Sequence, residues 1–185
     1  YGVKLMVGHL LEYHPGVERL KDMVAAGDLG ELLYVYSTRV NLGQLRTDEN
    51  AMLSLGPHDI SVALSLIGES PSSAWARGES YMHEGVEDVV FGYLRFPSGV
   101  AAHMHWSWLD PHKERRITVV GSERMATFDD MRAEGKLTVY DKGFDQNFES
   151  HSEYMARSGD IWQPRISNEE PLRIECRHFV DCIRS

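Results

Sequence analysis

The residue best suited to move a proton is His58, in the run Asn50-Ala51-Met52-Leu53-Ser54-Leu55-Gly56-Pro57-His58-Asp59-Ile60-Ser61. An apolar, strand-like stretch ends at Gly56-Pro57. His58 and Asp59 follow, and an amphipathic helix is predicted over 60–67, closed by Gly68. This spacing puts His58 at or near a helix start. Unpaired N–H groups and a partial positive charge collect there, and they favour a neutral imidazole. A neutral histidine in that setting is a general base. The pattern alone also fits, and by itself favours, a plainer reading in which His58 begins the helix and Asp59 is its N-cap.

Other side chains suit binding rather than proton transfer. Arg39 and Asn41 are two apart and share a side if their strand persists. Arginine makes bidentate contacts to phosphate, and asparagine serves sugar hydroxyls. An ordinary polar pair at a strand end fits equally well. Lys113, Arg115 and Arg116 form a basic cluster in an acidic chain, suited to a diphosphate or to a solvated hairpin edge. His14 precedes Pro15, and Asn50 ends a polar loop. His103 and His105 share one face of a predicted strand, but no third ligand stands nearby, so a half-exposed sheet face is expected and no metal site. Met104, Trp106 and Trp108 fall on the opposite face and are expected in the core or an interface.

Several motifs together resemble the substrate domain of the Gfo/Idh/MocA oxidoreductases. Val7-Gly8-His9 with Tyr13-His14-Pro15 is similar to the crossover from cofactor domain to substrate domain. Gly27-Asp28-Leu29-Gly30 resembles the family's G-x-[IL]-G turn, and Arg39-Val40-Asn41-Leu42-Gly43 resembles a substrate loop. Pro57-His58-Asp59-Ile60-Ser61 and Ser107-Trp108-Leu109-Asp110-Pro111-His112-Lys113 resemble the nucleotide-sugar 3-dehydrogenase branch. Glu170 to Phe179 resembles its last helix.

The resemblance implies an NAD or NADP-dependent dehydrogenase acting on a sugar secondary alcohol, with C3 of a nucleotide sugar as the favoured substrate. Inositol or a free sugar is the alternative, and a non-catalytic sugar-binding or scaffold domain is the rival of another class. His58 is implied as the catalytic acid/base. Ser54, His14, Arg39, Asn41, Asn50, Lys113 and Arg115 are implied around the substrate. The family's D-x-x-x-H aspartate is Ser54 here. A serine forms hydrogen bonds but supplies no charge, so either His58 works with a lysine of the cofactor domain or activity is weakened or lost.

The elements that must position these residues follow from periodicity. A strand is predicted at 5–7, a helix opened by Pro15 and ended by Gly27, a strand over 31–40 and a polar loop over 42–49. Strands are expected near 72–83, 87–96, 100–109, 115–120, 125–129 and 136–141. A long loop over 142–168 and a final helix over 169–183 complete the chain. Consecutive strands with clustered helices indicate an α+β fold with an open, mostly antiparallel sheet and helices on one face, as in dihydrodipicolinate reductase-like domains. The free face is expected to support homo-oligomers. No G-x-G-x-x-G follows a strand, so no cofactor-binding residue is assigned. Both ends read as cut. Residues 1–8 are taken as the end of a crossover from a Rossmann domain, and 9–185 as a substrate-binding and oligomerisation domain truncated in its last helix.

Composition sets the outer limits. The 185 residues are 42% hydrophobic, enough for an ordinary core, and the formal net charge of −9 argues against nucleic acid. No run approaches the roughly 20 apolar residues of a membrane span. Cys176 and Cys182, six apart on a predicted helix, diverge too far for an easy disulfide, so a reducing cytoplasm is expected.

Overall fold

The computed structural model describes residues 2–146 and 154–185. A short 3-10 turn, Leu10–Tyr13, leads into α1, Pro15–Ala25. The strand β1, Leu32–Val40, is followed by α2, Ala51–Ile67. Seven strands come next: β2 Ser73–Glu79, β3 Val89–Arg95, β4 Ala101–Ser107, β5 Glu114–Gly121, β6 Met125–Asp129, β7 Leu137–Gln146 and β8 Tyr154–Trp162. Helix α3, Pro171–Arg184, closes the described chain. The sheet runs β2-β3-β4-β1-β5-β6-β7-β8, with β1 parallel to β4 and every other pairing antiparallel. This is the open α+β sheet expected from the order of elements.

Helices α1 and α2 pack together on one face of the sheet, and α3 packs against the 3-10 turn. Val17, Leu20 and Met23 recur at helical spacing along α1 and are buried, while Pro15 opens the helix where its missing N–H is not needed. Along β1, Val35, Ser37 and Arg39 turn inward and Tyr34, Tyr36 and Thr38 outward. Trp106 is the largest fully buried side chain and joins the two layers. Gly56 on α2 and Gly92 on β3 make room for it. A Cβ at Gly56 would lie 3.1 Å from the indole and one at Gly92 2.8 Å. Met104 and Trp108 are buried with it, so this face of β4 is core.

Three expectations fail. Helix α2 begins at Ala51, not after Pro57, so His58 lies inside the helix. Asn50 caps it, its Oδ1 accepting from Leu53 N at 2.9 Å. Ala51, Asp59, Val62, Ala63 and Leu66 form one buried helical stripe, which outweighs the strand-like local composition. Pro57 removes only the bond to the carbonyl of residue 53, and Leu53 is exposed, so water can satisfy that group. Asp59 is consequently no N-cap.

The second failure is the long loop over 142–168. Strand β7 runs on to Gln146, and β8 returns antiparallel beside it over Tyr154–Trp162. This last ribbon carries Gly, Ser and Asp, and β8 is the edge strand of the sheet, so alternation is weak where one side is solvated. Part of that expected loop, 147–153, lies outside the described residues. Third, 5–7 forms no strand. Val3, Leu5 and Val7 are exposed and have no strand partner.

On the open face, aromatic rings line up across β3, β4 and β1. Phe91 stacks on His105 at 4.5 Å and Tyr36 on His103 at 5.1 Å, with Tyr34 continuing the row. No helix among the described residues is long and apolar enough to cross a membrane.

Candidate active site

The helix register brings Ser54 and His58, one turn apart, to the same cavity. It has a volume of about 390 Å³ and is lined also by Leu10, Leu11, His14, Arg39, Leu55, Arg115, Asp130, Lys136 and Pro171. The 3-10 turn, α2, the outgoing end of β1, the start of β5 and the β6–β7 loop therefore converge on one site.

Asp59, adjacent to His58, turns into the core instead. It is 2% exposed, and the facing Arg39 is 8% exposed. Arg39 Nε donates to Asp59 Oδ2 at 2.9 Å and Nη2 to Oδ1 at 3.0 Å, while Trp106 Nε1 donates to Oδ2 at 2.9 Å. This forked pairing satisfies the carboxylate and fixes the guanidinium at the cavity wall. Arg39 Nη1 has no protein hydrogen bond among the described residues and stays available to a ligand.

His58 makes no side-chain hydrogen bond among the described residues, and its Nδ1 is buried without a partner. Burial pushes the imidazole below its ordinary range. The nearby Arg39 guanidinium adds to that, and the Asp59 carboxylate partly opposes it. The outcome is a half-buried imidazole that is neutral at pH 7 and can accept a proton. The neutrality expected of a helix start thus has another source, burial beside a fixed cation.

The far wall is a cluster on the 130–136 loop. Lys136 Nζ donates to Asp130 Oδ1 at 2.8 Å and to the Asp130 carbonyl at 3.0 Å. Arg115 Nη1 and His14 Nε2 each lie 3.7 Å from this carboxylate. Despite partial burial, these contacts, led by the Lys136 hydrogen bond, hold the Asp130 carboxyl below its usual range. His14 Nδ1 accepts from Gly16 N at 3.0 Å and caps α1, which leaves the ring proton on Nε2, toward Asp130. Burial lowers the His14 pKa against the pull of Asp130.

The expected site residues divide between cavity and scaffold. His58, Ser54, His14, Arg39 and Arg115 line the cavity, whereas Asn41, Asn50 and Lys113 do not. Asn41 folds over its own turn against Gly43. Asn50 caps α2 and its Nδ2 donates to Glu87 Oε2 at 2.8 Å. Lys113 is exposed in the β4–β5 connection. Asp130 and Lys136 escaped the sequence reading. They flank a short hairpin loop, and only the pairing of Phe128 with Leu137 brings them together. Among the described residues no group of three His, Cys, Asp or Glu side chains is placed to hold a metal.

Comparison with known proteins gives a consistent result. The GFO/IDH/MocA C-terminal domain matches residues 17–127. A curated relative, the 2,7-anhydro-N-acetylneuraminate hydratase of Escherichia coli strain K12, is 23% identical over 152 residues, 75% of this chain and 41% of its own length. A solved protein of Magnetospirillum magnetotacticum MS-1 is 29% identical, with TM-score 0.78, covering 100% of this chain and 57% of that one. The UDP-N-acetylglucosamine 3-dehydrogenase of Acidithiobacillus ferrooxidans shares the fold at 21% identity and TM-score 0.74, covering 97% of this chain and 54% of that one. The chain thus spans about half the length of the relatives it matches. With a family match over more than half its residues, around the helix that carries His58, this chain belongs to the GFO/IDH/MocA oxidoreductase family and represents its C-terminal domain.

Proposed function

We propose that the chain is the substrate half of an NAD(P)-dependent dehydrogenase that oxidises a secondary alcohol of a sugar to a ketone, with C3 of a nucleotide sugar as the favoured position. The observation that carries this reading is His58, an imidazole held neutral beside Arg39 on the wall of a cavity of about 390 Å³. His58 accepts the hydroxyl proton, as a general base must, from an alcohol bound within hydrogen-bond reach. Ser54, one turn away on α2, and the Asp130–Lys136 pair opposite offer hydrogen bonds to neighbouring hydroxyls.

The sequence has no glycine-rich turn leading from a strand into a helix, so the dinucleotide phosphates fall to another part of the protein. Leu10, Leu11, Leu55 and Pro171 on the cavity wall would offer apolar contact to a nicotinamide ring. A nicotinamide cofactor bound there would supply the hydride acceptor for the oxidation. This chain's own part is to hold the sugar, keep His58 unprotonated and receive the proton.

The UDP-N-acetylglucosamine 3-dehydrogenase is a nucleotide-sugar precedent on this fold, and the aldose-aldose oxidoreductase of Caulobacter crescentus and the inositol dehydrogenase homolog of Azotobacter vinelandii keep a free sugar and inositol as the alternatives. Ser54, in place of a carboxylate, is what a non-catalytic sugar-binding domain would also tolerate. The protein self-associates through the aromatic open face, and its two free cysteines suit a reducing cytoplasm. The test is the full-length protein mixed with NAD or NADP and UDP-N-acetylglucosamine, N-acetylglucosamine or myo-inositol, read at 340 nm. Reduced cofactor with the first supports the reading, and none with any of them removes it.

A further inference from the structure

The basic run at the start of β5 is divided by the strand. Arg115 turns to the helix face and lines the cavity at His58, whereas Arg116 turns to the open face. There Tyr36, Thr118, Thr127 and Thr138 stand in one row across four adjacent strands, β1, β5, β6 and β7. The row floors a cavity of about 360 Å³, a volume typical of small-molecule pockets. The sheet itself separates this cavity from His58. Tyr36, stacked on His103, marks its border with the aromatic row of β3 and β4.

Threonine is ordinary on a solvated strand face, but it is normally exposed there. Thr118 and Thr138 are each only 5% exposed, under a rim of Arg116, Arg132, Tyr140 and Lys142. The hydroxyls of Thr118 and Thr127 share a hydrogen bond at 3.2 Å, and that of Thr138 has no partner among the described residues. Arg116 Nε is buried without a hydrogen bond, although Nη2 lies 3.2 Å from Glu114 Oε2. A buried N–H left unpaired is costly, so it calls for an acceptor that the chain itself does not supply. Arg132 Nε lies 3.6 Å from Asp129 Oδ2, and Lys142 forms no ion pair among the described residues. Three cations thus face two carboxylates, Asp129 and Glu114, in a chain whose net charge is −9.

We propose that this cavity binds the phosphate monoester of a small polyhydroxylated molecule. Arg116, Arg132 and Lys142 hold the phosphate through charge-assisted hydrogen bonds. The threonine and tyrosine hydroxyls, which both donate and accept, hold the hydroxyls of the ligand. The three cations come from β5, the β6–β7 loop and β7, and they match the three terminal oxygens of a phosphate better than the two of a carboxylate. The site makes no use of the chemistry at His58 and stands apart from substrate oxidation.

The probe is glucose 6-phosphate, titrated calorimetrically into the full-length protein and into the Arg116→Met, Lys142→Met, Thr138→Val and Arg115→Met variants, with melting temperatures confirming that each is folded. Loss of a charge-assisted contact weakens binding about 10- to 100-fold, so Arg116→Met should bind at least tenfold more weakly. Lys142→Met, a change at an exposed side chain, should do the same and carries the test if Arg116→Met does not fold. Thr138→Val removes one neutral hydrogen bond at nearly constant shape and should weaken binding about 2- to 10-fold. Inorganic phosphate should bind more weakly than glucose 6-phosphate, because it leaves the threonine floor uncovered.

No binding of glucose 6-phosphate at millimolar concentration, native affinity in a folded Arg116→Met or Lys142→Met variant, or equal affinity for glucose 6-phosphate and inorganic phosphate would each overturn the proposal. So would binding that is lost in Arg115→Met and kept in Arg116→Met, which would place the phosphate in the cavity at His58 instead.

Discussion

Replacing Asp59 with asparagine should damage this domain more than any exposed change of similar size. Three donors converge on the Asp59 carboxylate: Arg39 Nε, Arg39 Nη2 and Trp106 Nε1, at 2.9, 3.0 and 2.9 Å. An amide offers one oxygen and an NH2 group, so at least one donor would face another donor. Both members of the pair are more than nine-tenths buried, and water cannot replace what is lost. Breaking a buried ion pair from one side costs about 3–5 kcal/mol, a large share of the roughly 5–15 kcal/mol that holds a domain together. At roughly 2–4 °C per kcal/mol for a domain this size, melting should fall by about 6–20 °C. Urea unfolding followed by tryptophan fluorescence is the assay, run on Asp59→Asn, Asp59→Leu, Arg39→Met and the double variant Arg39→Met/Asp59→Leu. The double variant should be milder than the sum of its parts by about 2 kcal/mol or more, since no uncompensated charge remains. An Asp59→Asn variant within about 1 kcal/mol of the native protein, or an additive double variant, would refute the argument that this pair ties α2 to β1.

Other outcomes follow from the same geometry. His14, His58, His103 and His105 all have pKa values lowered by burial, below the 6.5 of an unfolded chain. The unfolded state therefore takes up protons first as pH falls; stability should hold above pH about 6.5 and decline below it, read as the urea midpoint against pH. Ser54→Asp places a carboxylate one turn from His58 and should raise the imidazole pKa, moving the acid limb of the kcat/KM profile to higher pH. An unmoved or downward-shifted limb would mean that the two side chains do not share the cavity. Phe91→Glu puts a charge into the exposed aromatic row of the open face and should lower the mass seen by light scattering, while a native protein that is already monomeric would contradict self-association there.

Much of the fold was legible because its signals were local. Pro15 and Gly27 bracket α1, and Tyr34, Tyr36 and Thr38 alternate against the core side of β1. Helix α2 was misread because Gly56-Pro57 is a strong local stop signal, and only the packing of Gly56 against Trp106 and the burial of Asp59 under β1 override it. Strand β8 was missed because an edge ribbon needs no apolar alternation. His58, Arg39 and Ser54 could be named from the sequence, but Arg39's partner could not, since the pairing with Asp59 depends on the true helix register. Asp130 and Lys136 carry no sequence signal. They become a pair only when a hairpin folds back beside His14, and no spacing rule announces that.

The central claim is that His58 carries the proton of the reaction. The measurement is kcat for His58→Asn in the full-length protein, at saturating cofactor and UDP-N-acetylglucosamine. Asparagine keeps much of the shape and hydrogen bonding but does not titrate. The account predicts a fall in kcat of roughly 10²–10⁴-fold, with KM little changed and the acid limb of the pH profile abolished. A variant that turns over at the native rate would contradict it, leaving His58 as a cavity-lining residue of α2 with no part in the chemistry.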